Sequence, residues 1–140
     1  MRRRLHALDG GEAAWVEYDG TTIVRPVWNG RANLVELFVD GSEGHLELLS
    51  LRLYDPATSV WSLHVGNAGD GSMSPPNLGT FEQGRGVFVG RETIGGRSVL
   101  VRFTISDITA TSAHFEQALS IDEGKTWVVN WIATDTRSDR

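Results

Sequence analysis

Four histidines, His6, His45, His64 and His114, are the first residues to test for chemistry, and they are scattered. No His-x-x-x-His pair or facial triad sets two imidazoles on one side of an element, so the sequence supports no metal site. The chain has no cysteine, which removes thiolate ligands, thiol nucleophiles and disulfides together. Glu36, Glu47, Glu92 and Glu116 are available for acid–base work, but no spacing pairs them. There is no Gly-x-Ser-x-Gly elbow. Gly84, Gly86 and Gly90 fall in a strand context, not at the strand-to-helix turn that cradles a phosphate. No catalytic residue, metal or cofactor is assigned from sequence.

One local motif is specific. Ser120-Ile121-Asp122-Glu123-Gly124-Lys125-Thr126-Trp127 fits the Asp-box pattern S-x-D-x-G-x-T-W. Its chemistry is structural: Asp122 accepts hydrogen bonds across a turn, Gly124 takes a positive φ, and Trp127 packs beneath the hairpin. Ser120, Asp122, Gly124 and Trp127 are therefore expected to be turn residues. The box recurs in sialidase propellers, but a propeller needs several four-stranded blades. One box in 140 residues argues against that activity.

The segments around this box can be laid out as a ladder. If 99–106 turns into 112–120, and 120 and 126 close the next hairpin, Arg102, Glu116 and Asn130 share one polar row. Phe103, Phe115 and Trp131 then share an aromatic row on the opposite face, with Trp127 and Val129 alongside. Strict alternation turns that apolar face inward as a unit. Gln117 is the one long polar side chain on it, and once buried it needs a partner from protein, water or ligand. The polar row has two readings. It is either a solvated cross-strand ion pair or a mouth where Arg102 anchors a carboxylate or phosphate.

The elements that position these residues are strands. No stretch of 11 or more residues keeps a helical period, and strand patterns recur between turn residues. The expected strands are 3–8, 12–18, 22–28, 33–39, 45–54, 59–65, 86–92, 97–106, 112–120 and 126–136. Asp9-Gly10-Gly11, Asp19-Gly20, Asn29-Gly30, Asp40-Gly41, Asp55-Pro56, Gly95-Gly96 and Asp122-Glu123-Gly124 punctuate them. This is an all-β antiparallel meander, and closing it into a small barrel removes exposed edges. A two-sheet sandwich fits the same pattern. The irregular stretch 66–79 is expected to be a lid, a binding loop or a plain connection.

Residues 1–140 read as a single domain, large enough to bury about 70% of its unfolded surface without a staple. A net charge of −5 argues against a nucleic-acid partner. Arg2, Arg3 and Arg4 form a basic cluster like a signal-peptide n-region. No apolar run follows it, so a signal peptide is not expected. No stretch approaches the roughly 18 apolar residues of a membrane span. The expectation is a cytoplasmic, soluble protein with no membrane partner.

The second half resembles a bacterial family of lipocalin-like (calycin) β-barrel proteins for which no activity is established. The matching stretches are Leu51-Arg52-Leu53-Tyr54-Asp55-Pro56 with Trp61, Gly79-Thr80-Phe81 through Gly86-Val87-Phe88, Val101-Arg102-Phe103, and Phe115 through Trp127 followed by Asn130-Trp131. Asn33 with Glu36 also fits. Members tend to carry Trp at Ile105 and Phe115 and an acidic residue at Val128. They also have a further strand ending near Arg3-Arg4-Leu5, so this chain starts inside that strand. The resemblance implies a calycin barrel and transfers no activity. A barrel of this class encloses one small apolar or amphipathic molecule. Its expected ligand-binding residues here are Arg52, Trp61, Arg102, Phe103, Phe115, Gln117 and Trp131. Two alternatives stand beside it. One is a cyclase- or isomerase-like enzyme using Glu116 or Glu36 as base. The other is a non-catalytic homodimer, formed through a last strand that an incomplete first strand leaves partly unpaired.

Overall fold

The computed structural model of the protein describes residues 2–4, as backbone, and 15–138. The turn at Asp9-Gly10-Gly11, most of the expected strand 3–8, the start of 12–18 and the last two residues of the tail lie outside the described residues. The described chain is almost entirely strand. Its elements are β1 (Arg2–Arg4), β2 (Trp15–Val27), β3 (Ala32–Gly41), β4 (Gly44–Asp55), β5 (Val60–Asn67), β6 (Ser72–Met73), β7 (Asn77–Glu82), β8 (Arg85–Ile94), β9 (Arg97–Ser106), β10 (Ser112–Ser120) and β11 (Val128–Thr136). One 3-10 turn, Trp28–Gly30, joins β2 to β3.

Every pairing is antiparallel, between near neighbours in sequence except for β1 with β11, in the order β4-β3-β2-β1-β11-β10-β9-β8-β7-β5-β6, and β4 also pairs with β5. The sheet thereby curls into a nearly closed barrel. Short loops set the hairpins. Gly95 and Gly96 both take positive φ (58° and 79°) between Ile94 and Arg97, the geometry that matches strand twist in a two-residue connection.

Alternation decides which side chains face inward. Along β9, Val99, Val101 and Ile105 are buried on one face, while Leu100, Arg102 and Ser106 on the other are half-buried. Phe88 is wholly buried. It packs with Leu63 and Ile105, and Trp61, Phe103 and Phe115 close around them. Val99, Val101 and Leu119 form a second cluster nearer the β8–β9 turn.

The structure departs from expectation at three places. First, Asp19-Gly20 is not a turn: β2 runs straight through it, pairing Asp19 with Asp40 and Gly20 with Val39. A Cβ at residue 20 would run into the Phe38 carbonyl, so glycine serves close approach of two strands here. Second, the stretch 66–79 is built. β5 and β6 form a small hairpin, with Asn67 Oδ1 accepting the Gly69 N–H (2.8 Å) and Asp70 Oδ1 accepting the Ser72 N–H (2.9 Å), and β7 follows.

Third, the ladder register is two residues off the expected one. Arg102 lies opposite Ala118, Glu116 opposite Thr104 on β9 and Ile132 on β11, and Phe103 opposite Gln117. The row Arg102–Glu116–Asn130 does not form. A shift of two preserves faces, so Phe103, Phe115 and Trp131 still point inward together, and the Phe103 and Phe115 rings stack at 6.0 Å. A bulge between Gln117 and Ala118 breaks the parity of β11: Gln117 pairs with Trp131, but Ala118 pairs with Val129. Asn130 is the extra residue. Val129 therefore shares the outer face with Arg102, and Trp127, expected on the inner face, lies outside beneath the Arg102 guanidinium at 4.3 Å.

Candidate functional site

Between the two apolar clusters the barrel encloses a cavity of about 210 Å³. Its wall is apolar on most sides: Val24, Val35 and Leu37 from β2 and β3, Leu48 and Leu63 from β4 and β5, and the rings of Phe103, Phe115 and Trp131 opposite. Cross-strand pairing explains the grouping. Val24, Val35, Ser50 and Val65 form one inward row, and Phe103, Gln117 and Trp131 form another.

Polar groups are few and separated. Gln117 has a protein partner, its Nε2 donating to Asn130 Oδ1 at 3.4 Å. Asn77 donates to the Val101 carbonyl at 3.5 Å. Glu92 lines the cavity near the β8–β9 turn, and burial raises its carboxyl above the ordinary value. Asp135 lines it at the far end of β10 and β11, where it pairs with Ala113.

Arg52 stands apart from these. It sits on β4 opposite Asn33 on one side and Leu63 on the other, and it lines the cavity. Its Nε is buried with no hydrogen-bond partner, and so is the neighbouring Asn33 Oδ1. Burial pushes its pKa down to about 10, and the charge of Asp135 acts against that shift, so the guanidinium is charged at neutral pH. No salt bridge joins Arg52 to any carboxylate among the described residues. An arginine fork directed into an apolar chamber with its donors unused is chemically a receptor for a planar anion.

Among the described residues, the wall is only partly paired between β2 and β11. β1 occupies the lane between β2 and β11, pairing with residues 15–17 of the former and 131–132 of the latter. Among the described residues, no strand pairs with β2 over 19–27 on that side, or with β11 over 133–136. Thr22 and Val24 on one lip and Ala133 and Asp135 on the other all line the cavity, so this gap leads into it.

Of the residues expected at a ligand, Arg52, Phe103, Phe115, Gln117 and Trp131 come together around the chamber. Trp61 does not line it. It packs against the Leu63–Phe88–Ile105 cluster, its ring 5.1 Å from Tyr54. Arg102 is on the outer face over Trp127 and is not at a mouth. Glu36 pairs with Arg25 at 3.1 Å and Glu116 approaches His114 at 3.3 Å, and neither carboxylate lines the chamber. Asp135, Asn77 and Ser74 were missed. Alternation along β11 from Trp131 through Ala133 already puts Asp135 on the inner face, so that signal was present in the sequence.

The hairpin that anchors this wall is held by side chains. Ser120 Oγ donates to Asp122 Oδ1 (2.8 Å) and accepts the Gly124 N–H (2.9 Å). Asp122 accepts the Thr126 N–H (2.9 Å) and hydroxyl (2.5 Å). These bonds hold the Asp122 pKa down to about 2. Gly124 has φ 86°. Arg91 reaches across from β8 to Glu123 through two parallel bonds of 2.9 and 2.7 Å.

No group of three or more His, Asp or Glu among the described residues is placed to hold a metal ion. Among the described residues, no helix is long and apolar enough to cross a membrane. No known protein family matches the chain, and no curated protein matches it.

Proposed function

We propose that the protein is a calycin-like binding barrel for a small organic acid, whose apolar body fills the chamber and whose carboxylate is held by Arg52. The observation that carries this reading is the buried, unpartnered Nε of a charged Arg52 on the wall of an apolar cavity. A buried donor left without an acceptor costs about 1–3 kcal/mol, which a bound acceptor recovers. A carboxylate supplies the missing acceptor, and the three rings supply the apolar contact. Native mass spectrometry of freshly purified protein, alone and after addition of decanoate, tests it. Wild-type protein is expected to carry one acid per chain, and Arg52→Gln to carry none. Equal retention by Arg52→Gln, or no retention of decanoate by wild type, contradicts the reading.

A second reading, self-association, rests on the open edges of β2 and β11. Unpaired backbone groups beside exposed Ile23, Val24 and Val27 form a template for another strand. A two-fold pair of chains, each covering the other's gap, satisfies both edges. Sedimentation at micromolar concentration is expected to show twice the 15.4 kDa chain mass. A species at the single-chain mass with no concentration dependence would sink this idea.

A further inference from the structure

The chamber holds a second charged group without a partner. Asp135 makes no hydrogen bond and no salt bridge among the described residues, although it lines the same cavity as Arg52 and lies close enough to influence its charge. The fold keeps the two apart. Arg52 is on β4 and Asp135 on β11, on opposite sides of the gap in the wall. Glu92, the other carboxylate on the wall, sits by the β8–β9 turn at the opposite end of β9 and is not part of this pair.

We infer that the ligand is a carboxylic acid bearing a hydrogen-bond donor, a hydroxyl or ammonium group, close to its carboxylate. The carboxylate takes the free Arg52 donors, the donor group reaches Asp135, and the apolar remainder lies against Phe103, Phe115 and Trp131. The class is therefore an apolar hydroxy acid or amino acid. This inference rests on the binding reading given above and adds the second point of contact. Complementarity at two opposite charges disfavours a simple fatty acid as the best occupant, because that would leave Asp135 without a donor from the ligand.

Three probes with one apolar body separate the terms: 3-phenylpropanoate, 3-phenyllactate and phenylalanine, titrated calorimetrically into wild type, Asp135→Ala and Asp135→Asn. The expected result is at least tenfold tighter binding of one donor-bearing probe than of 3-phenylpropanoate in wild type, with the advantage lost in Asp135→Ala. Asp135→Asn distinguishes the donor: an amide oxygen still accepts from a hydroxyl, whereas an ammonium group loses its counter-charge. Equal binding of all three by wild type overturns the inference and leaves the role of Arg52 standing. A donor advantage that survives Asp135→Ala also overturns it. Failure of all three to bind overturns this inference and the binding reading together.

Discussion

Under the proposed binding role, Arg52 is where stability and function oppose each other. Leaving a buried donor unsatisfied costs about 1–3 kcal/mol, and no acceptor among the described residues meets the Arg52 Nε. Arg52→Leu is therefore expected to stabilise the ligand-free protein by about 1–2 kcal/mol while abolishing acid binding. Urea unfolding of the two proteins measures the first effect, and a loss of stability would show that Arg52 has a structural partner instead. Phe88 supplies the contrast. It is 0% exposed at the centre of the larger apolar cluster, with no polar atom to satisfy. Phe88→Ala is expected to cost about 3–5 kcal/mol in the same unfolding experiment. At this scale the sequence was legible where side-chain parity alone decided the outcome, as at Phe103, Phe115 and Gln117. Parity also put Arg102 on the face away from the rings. Its partnership with Glu116 depended on register, which no single hairpin loop pins down when the turn spans several residues.

The β10–β11 hairpin shows how an element can be half legible. Its turn chemistry was readable residue by residue, because Ser120, Asp122, Gly124 and Thr126 act within a few positions of each other. The bulge at Asn130 was not, because Trp127, Val128, Val129 and Trp131 are apolar on both parities and a slipped frame looks equally well buried. The Asp122 carboxyl carries a pH signature. Its folded pKa is about 2 against 3.8 for a free carboxyl, so its contribution is complete above about pH 4 and is lost as pH falls through 2. Asp122→Ala is expected to lower Tm by a few degrees at pH 7 and to converge on wild type near pH 2. A Tm difference that persists undiminished at pH 2 would mean the bonds of Asp122 are not its source. In β2, Gly20 has an equally local role. Gly20→Val forces a side chain against the Phe38 carbonyl and is expected to cost about 1–3 kcal/mol, read from the urea midpoint.

Across the whole molecule, regular spacing of turn residues identified an antiparallel meander, and the need to hide sheet edges favoured closure. What spacing could not show was where closure is thin. The stretch 66–79 lacks strand-forming alternation, and its last glycine serves a tight approach: a side chain at Gly79 would collide with the Val87 carbonyl, and β7 pairs with β5 at that point through only three positions, Trp61–Gly79 to Leu63–Asn77. Asp19-Gly20 misled for the same physical reason, since glycine marks close backbone contact as readily as it marks a turn. Among the described residues, β1 pairs with β2 over 15–17 and with β11 over 131–132 only. Thr22 and Val24 of β2 and Ala133 and Asp135 of β11 flank the remaining gap and line the chamber, so both the proposed ligand route and the proposed self-association are tested at one seam.

The central claim is a direct interaction between one guanidinium and one carboxylate inside the barrel. A thermodynamic cycle isolates it: affinities of 3-phenylpropanoate and its uncharged counterpart 3-phenylpropanol for wild type and for Arg52→Gln, measured by calorimetry at pH 7. The account predicts that wild type prefers the acid by at least tenfold, about 1.4 kcal/mol, and that Arg52→Gln erases the preference while binding the alcohol as before. An acid preference that is unchanged in a folded Arg52→Gln protein would contradict it.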